Sequence, residues 1–157
     1  MVFSFLVGNQ RRNRLRAISS GVRMFHGKPD SRDTQPRSAA ADAMLQYRND
    51  LLCYQLQRNL SLSGEDAQIL FDDLKRYLSL GHYTSEPLPP PRMIDKGWHE
   101  FILLTKDYED FCLKYRGQFI HHQPSGPNAP VDTTNTGRRR TRDLANRIFG
   151  ELSSNWY

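Results

Sequence analysis

Five side chains in one stretch of the chain carry donor atoms that could act together: Asp95, His99, Cys112, His121 and His122. Carboxylate oxygen, imidazole nitrogen and thiolate sulfur are the donors that zinc and iron take. Asp95 and His99 are four residues apart, which on a helix is one turn, so a carboxylate–imidazole contact is easy. Such a carboxylate can orient a metal-bound imidazole from behind, or the two can be simply a helix cap and its neighbour. The set has no standard ligand spacing, because neither His-Glu-x-x-His nor Cys-x-x-Cys occurs.

Whether these donors can share one ion depends on the helix that carries them. On one straight helix His99 lies about 27 Å before Gly117, at 1.5 Å per residue. From Gly117 the chain can bring His121 back by about 14 Å at most. The two histidines are then separate, with His121 and His122 hydrogen-bonded in a turn before Pro124. If the helix breaks near Thr105, with Thr105 as a new N-cap, its halves can fold over and the histidines can meet. A metal set of Asp95, His99, His121 and His122, taking zinc or iron, belongs to the second geometry; separate structural histidines or a proton-transfer pair are the alternatives.

No nucleophile arrangement stands out. Cys112 lies on an apolar helical face, where a thiol is inert, and Ser63 and Ser125 lack a Gly-x-Ser-x-Gly setting. Gly8, Gly21 and Gly27 are too scattered to cradle a phosphate. The two cysteines, Cys53 and Cys112, read as reduced core thiols, since nothing signals export.

The elements around these residues read as helices. Ala39 to about Leu60 has apolar residues at helical spacing (Met44, Tyr47, Leu51, Tyr54, with Arg58 in the same row and Leu52 and Leu56 widening the face) and predicts one long helix. Ser63 is an N-cap with Asp66 three residues on, opening a second helix to about Leu80 whose stripe is Ala67, Leu70, Phe71, Leu74, Tyr77 and Leu78. Gly81 is placed to end it in the left-handed conformation. The pair makes a helical hairpin. Pro87, Pro89, Pro90 and Pro91 make a stiff extended spacer. Asp95 then reads as the N-cap of an aromatic helix, 95–116, on which Trp98, Phe101, Tyr108 and Phe111 are core residues. Gly117 ends it. Residues 125–139 read as a flexible loop, and 140–157 as a C-terminal amphipathic helix. The fold class is all-α, with a helical domain at 39–124.

The dense segment Asp95-x-x-Trp98-His99, Thr105-x-x-Tyr108-x-x-Phe111-Cys112 and Gly117-x-Phe119-Ile120-His121-His122-x-Pro124 resembles that of a group of small bacterial proteins with the same pattern. It is also similar to plant glycine-rich-domain proteins, which carry a shorter Asp-x-x-Trp-His … Tyr-x-x-Cys version. The resemblance is strong over residues 92–124 and weaker over the preceding hairpin. It implies no activity, and the plant proteins' glycine-rich regions have no counterpart here.

Net charge is +5, split as +6 over residues 1–37, −3 over 38–120 and +2 over 121–157. Residues 1–38 read as a disordered basic arm and linker, with Arg11, Arg12, Arg14, Arg16 and Arg23 between apolar residues at helical spacing. Together with Arg138, Arg139, Arg140 and Arg142 they are candidate contacts to nucleic acid or an anionic membrane surface. An acid-free, arginine-rich start also suits a mitochondrial presequence in a eukaryotic source; otherwise the expected compartment is the cytoplasm. No apolar run is long enough to span a membrane. From sequence, the favoured reading is a small non-catalytic interaction module with an unknown protein partner. A metal-binding protein or metal-dependent enzyme, and a nucleic-acid binder, are the two rivals.

Overall fold

The computed structural model describes residues 38–123 and 135–157. Six α-helices run through them: α1 (Ala39–Leu45), α2 (Asp50–Leu60), α3 (Gly64–Ser79), α4 (Arg92–Leu103), α5 (Thr105–Arg116) and α6 (Thr136–Phe149). Short 3-10 turns follow α3 (Leu80–His82) and close the chain (Ser154–Trp156), and no strand occurs among the described residues. The all-α expectation holds. The basic arm, with Arg11, Arg12, Arg14, Arg16 and Arg23, lies outside the described residues.

Helix α3 is the central element. Its predicted stripe is buried throughout, and α1, α2, α4 and α6 all pack on it. Ser63 caps it as expected, its Oγ accepting from the Asp66 amide at 3.0 Å. The Ser63 hydroxyl donates to the Asp66 carboxylate (2.7 Å), so Asp66 answers the cap's side chain, not its backbone.

The long first helix is instead two. Asn49 adopts an extended backbone, and its Oδ1 caps α2 at the Leu52 amide (2.8 Å) while its Nδ2 donates to Asp107 on α5 (2.9 Å). A short amide side chain that bonds local backbone competes with a continuous helix. The carbonyls freed at the end of α1 are taken by the buried Lys75, whose Nζ donates to Leu45 O (3.0 Å) and Tyr47 O (3.1 Å) and pairs with Asp72 at 2.8 Å. Of the predicted face, Met44, Leu52 and Leu56 are buried, whereas Leu51, Tyr54 and Arg58 face outward.

Two further corrections bear on the site. Gly81 is not left-handed; it sits inside the 3-10 turn, and Gly117 (φ 70°) is the glycine that ends a helix that way. Helix α4 starts at Arg92, directly after Pro91, so Asp95 is inside the first turn and not its cap. Its amide donates to Pro91 O at 2.8 Å, and its carboxylate is left free for other work.

The C-terminal helix begins at Thr136, within the stretch expected to be loop. It leans on the proline spacer, whose carbonyls have no helical partners. Thr141 Oγ1 donates to Pro89 O (2.9 Å), and Arg138 and Arg140 donate to Pro90 O (3.2 Å) and Pro87 O (2.7 Å). Beyond it, Trp156 is buried against α3 and α4, and the fully buried Asp73 carboxylate accepts from Trp156 Nε1 (2.9 Å), Asn155 Nδ2 (3.0 Å) and Ser153 Oγ (2.5 Å).

Candidate metal centre

The aromatic helix is broken, as the folded-over geometry requires, but at Leu104 (φ −83°, ψ 64°), and Thr105 is the first residue of α5 with no side-chain capping bond. The break lets α5 fold back onto α4. Phe101 of α4 packs edge-on against Tyr108 and Phe111 of α5, both at 5.1 Å between ring centroids. Offset or edge-on aromatic contacts of this kind contribute about 0.5–1.5 kcal/mol each beyond burial.

Folding back also returns the segment after Gly117 to the start of α4, and a hydrogen-bond chain holds it there. Trp98 Nε1 donates to Tyr108 Oη at 2.9 Å, and Tyr108 Oη donates to Ile120 O at 2.6 Å. Burial, set against the Trp98 bond, keeps the Tyr108 hydroxyl protonated well above the ordinary tyrosine range, as a donor toward Ile120 must be. Cys112 is fully buried beside the Ile120 backbone and the Tyr108 hydroxyl. Burial raises its pKa, so it is an inert core thiol and not a ligand to an exposed ion.

The result is a group of three donors. One ligand atom each of Asp95, His99 and His122 lie within 4.8 Å of one another. His122 Nε2 is 2.7 Å from Asp95 Oδ1, and His99 Nδ1 is 3.9 Å from Asp95 Oδ2. The two imidazoles are 4.4 Å apart between centroids. The Trp98 indole packs edge-to-face with His122 at 4.5 Å between ring centroids, which holds the His122 ring from the protein side. Exposure grades across the group: the His122 side chain is 11% accessible, Asp95 34% and His99 53%. One wall is protein and the other is open to solvent.

His121 is not brought in. Its ring turns outward, against Phe119 at 5.0 Å. Alternation along an extended segment sends neighbouring side chains opposite ways, so only one of the His121–His122 pair could join. Tyr108 and Trp98, read from sequence only as core, also position the segment that carries His122. Nothing in their spacing shows that the Tyr108 hydroxyl reaches beyond its own helix to the Ile120 carbonyl.

The described arginines of the proposed polyanion set sit on α6. Arg140 pairs with Glu86 (3.1 Å) besides its proline carbonyl, Arg138 is held by Pro90 O, and Arg139 is exposed. No helix among the described residues is long and apolar enough to cross a membrane.

A family model described as UCP032817-like matches residues 39–148, from the start of α1 to Ile148 in the last turn of α6, and includes all three clustered donors. Searches of curated proteins and of solved structures found no match.

Proposed function

The chain belongs to the UCP032817-like family, whose description names no activity, and from the geometry of the site we propose that it binds a divalent transition metal, zinc foremost, through Asp95, His99 and His122. The observation that carries the reading is the convergence of the three donors from the two ends of the dense motif. Nothing in helix packing alone requires His122 to return to Asp95.

Two imidazoles and one carboxylate suit zinc or iron(II), with bond lengths of about 2.0–2.2 Å. Donors on one ion stand roughly 3 Å apart at those lengths. The two separations to Asp95 are 2.7 and 3.9 Å and the whole set lies within 4.8 Å, so side-chain rotations would have to draw the donors together around an ion. Three protein ligands leave further positions facing solvent on the His99 side. A metal held this way would have room for water there and would supply a Lewis acid toward an oxygen donor. Trp98 behind His122, with the Tyr108 bridge behind Trp98, plays the orienting part that outer residues play around metal-bound histidines.

The test is titration of untagged, metal-stripped protein with zinc by calorimetry. One equivalent is expected, with His122→Gln and Asp95→Asn weakening binding by at least about tenfold and His121→Gln leaving it unchanged. If zinc does not bind, or if His121→Gln matches His122→Gln, the reading is wrong and Asp95–His122 is a plain ion pair.

A further inference from the structure

Trp98 also borders a cavity of about 150 Å³, lined besides by Tyr77, Glu86, Leu88, Ile120 and Arg116. A cavity of about this volume holds one benzene-sized ring. Arg116 also borders the more open hollow next to it, with His82, Thr84 and Gln118. The guanidinium thus stands where a partly open space, walled on one part by Tyr77, Leu88, Trp98 and Ile120, meets a more polar hollow.

Three facts about that arginine point the same way. It has no carboxylate within ion-pairing distance among the described residues, although it is half-buried. The nearest acid on the cavity wall, Glu86, is turned to Arg140 at 3.1 Å and so is not its partner. And the guanidinium rests on Gly81, where a Cβ would lie 2.9 Å from Nη2. In the adjoining hollow, His82 Nε2 is buried with no hydrogen-bond partner. Burial and the nearby Arg116 charge both hold the His82 pKa below its ordinary value. A half-buried guanidinium with no carboxylate partner keeps its two-pronged donor set free for an anion.

We infer that this cavity binds a small carboxylic acid with a compact apolar body about the size of a phenyl ring, its carboxylate on Arg116 and its body against Tyr77, Leu88, Trp98 and Ile120. The site is independent of the metal reading, because none of the three clustered donors lines it.

Benzoate, benzamide and inorganic phosphate are the probes, titrated into metal-stripped protein and followed by calorimetry. Benzoate should bind about ten- to a hundredfold more tightly than its neutral isostere benzamide, the range expected for a hydrogen bond to a charged group. Arg116→Gln should erase that preference. Gly81→Ala, which displaces the guanidinium but keeps its charge and fits the backbone, should weaken benzoate without lowering stability much. Arg116→Lys, should Arg116→Gln not fold, is expected to keep attraction but lose most of the preference, because an ammonium cannot form the two-pronged contact. Equal binding of benzoate and benzamide, no binding of benzoate up to about 10 mM, benzoate binding that survives Arg116→Gln, or phosphate competing as well as benzoate would each overturn the assignment. A failure of zinc binding leaves all of these outcomes unaffected.

Discussion

Replacing Tyr108 with Phe tests how the site is held together. The ring, packed between Phe101 and Phe119, stays, so little packing is lost. What goes is one oxygen that accepts from Trp98 Nε1 and donates to Ile120 O. Trp98 is buried, so its N–H is left without a partner, at a cost of about 1–3 kcal/mol. The Ile120 carbonyl is half-buried and can recover a water, so its lost bond costs about 1 kcal/mol. Together the substitution should destabilise by about 2–4 kcal/mol. For a domain of this size that lowers the thermal midpoint by about 10 °C or more. Urea and thermal denaturation measure it directly. The same variant should lose about ten- to a hundredfold in zinc affinity, because the chain segment bearing His122 is no longer tied to Trp98. A Tyr108→Phe protein within about 0.5 kcal/mol of the parent, with unchanged zinc affinity, would refute the idea that this hydroxyl positions the site.

Other outcomes follow from buried groups elsewhere. Asp73→Ala strands the donors of Ser153, Asn155 and Trp156, and should cost about 3–5 kcal/mol by denaturation, with the C-terminal tail becoming an early site of proteolysis. Burial raises the pKa of both thiols, Cys112 being fully buried and Cys53 half-buried; in the folded protein near neutral pH one thiol, Cys53, should react with a disulfide reagent, and Cys112 only as the protein unfolds. His82 has a folded pKa below its unfolded value of 6.5, so the unfolded chain takes up its proton first as pH falls. Its contribution to stability should therefore be lost as the pH drops from about 6.5 toward the folded value, and His82→Gln should flatten that part of a stability–pH curve.

Much of the fold could be read from local patterns. The α3 stripe, the Ser63 cap, the proline spacer and the Gly117 stop each depend on residues close in sequence, and each stands where it was read. The errors occur where a distant partner decides. Tyr47–Asn49 breaks the first helix because Lys75 and Asp107, far along the chain, satisfy the groups the break exposes. Asp95 has the right type for a cap, but Pro91 starts the helix a turn sooner. Asp73 and Trp156 were not linked by any pattern, since a single carboxylate on an apolar face gives no hint of what covers it. The site was half legible. Residue types and the one-turn spacing marked Asp95 and His99, and the broken-helix geometry marked the His121–His122 pair. Which of that pair turns inward depends on the backbone from Gly117 to Ile120, anchored by one tyrosine hydroxyl. That geometry shifts the balance from an interaction module toward a metal site.

The central claim is that Asp95, His99 and His122 share one ion. Crystals grown with zinc and measured across the zinc absorption edge would locate it. The account predicts one anomalous peak about 2.0–2.2 Å from the Asp95 carboxylate, His99 and His122 Nε2, with His121 uninvolved. A peak at His121 or on other surface residues, with Asp95 and His122 still hydrogen-bonded to each other and no ion between them, would contradict it.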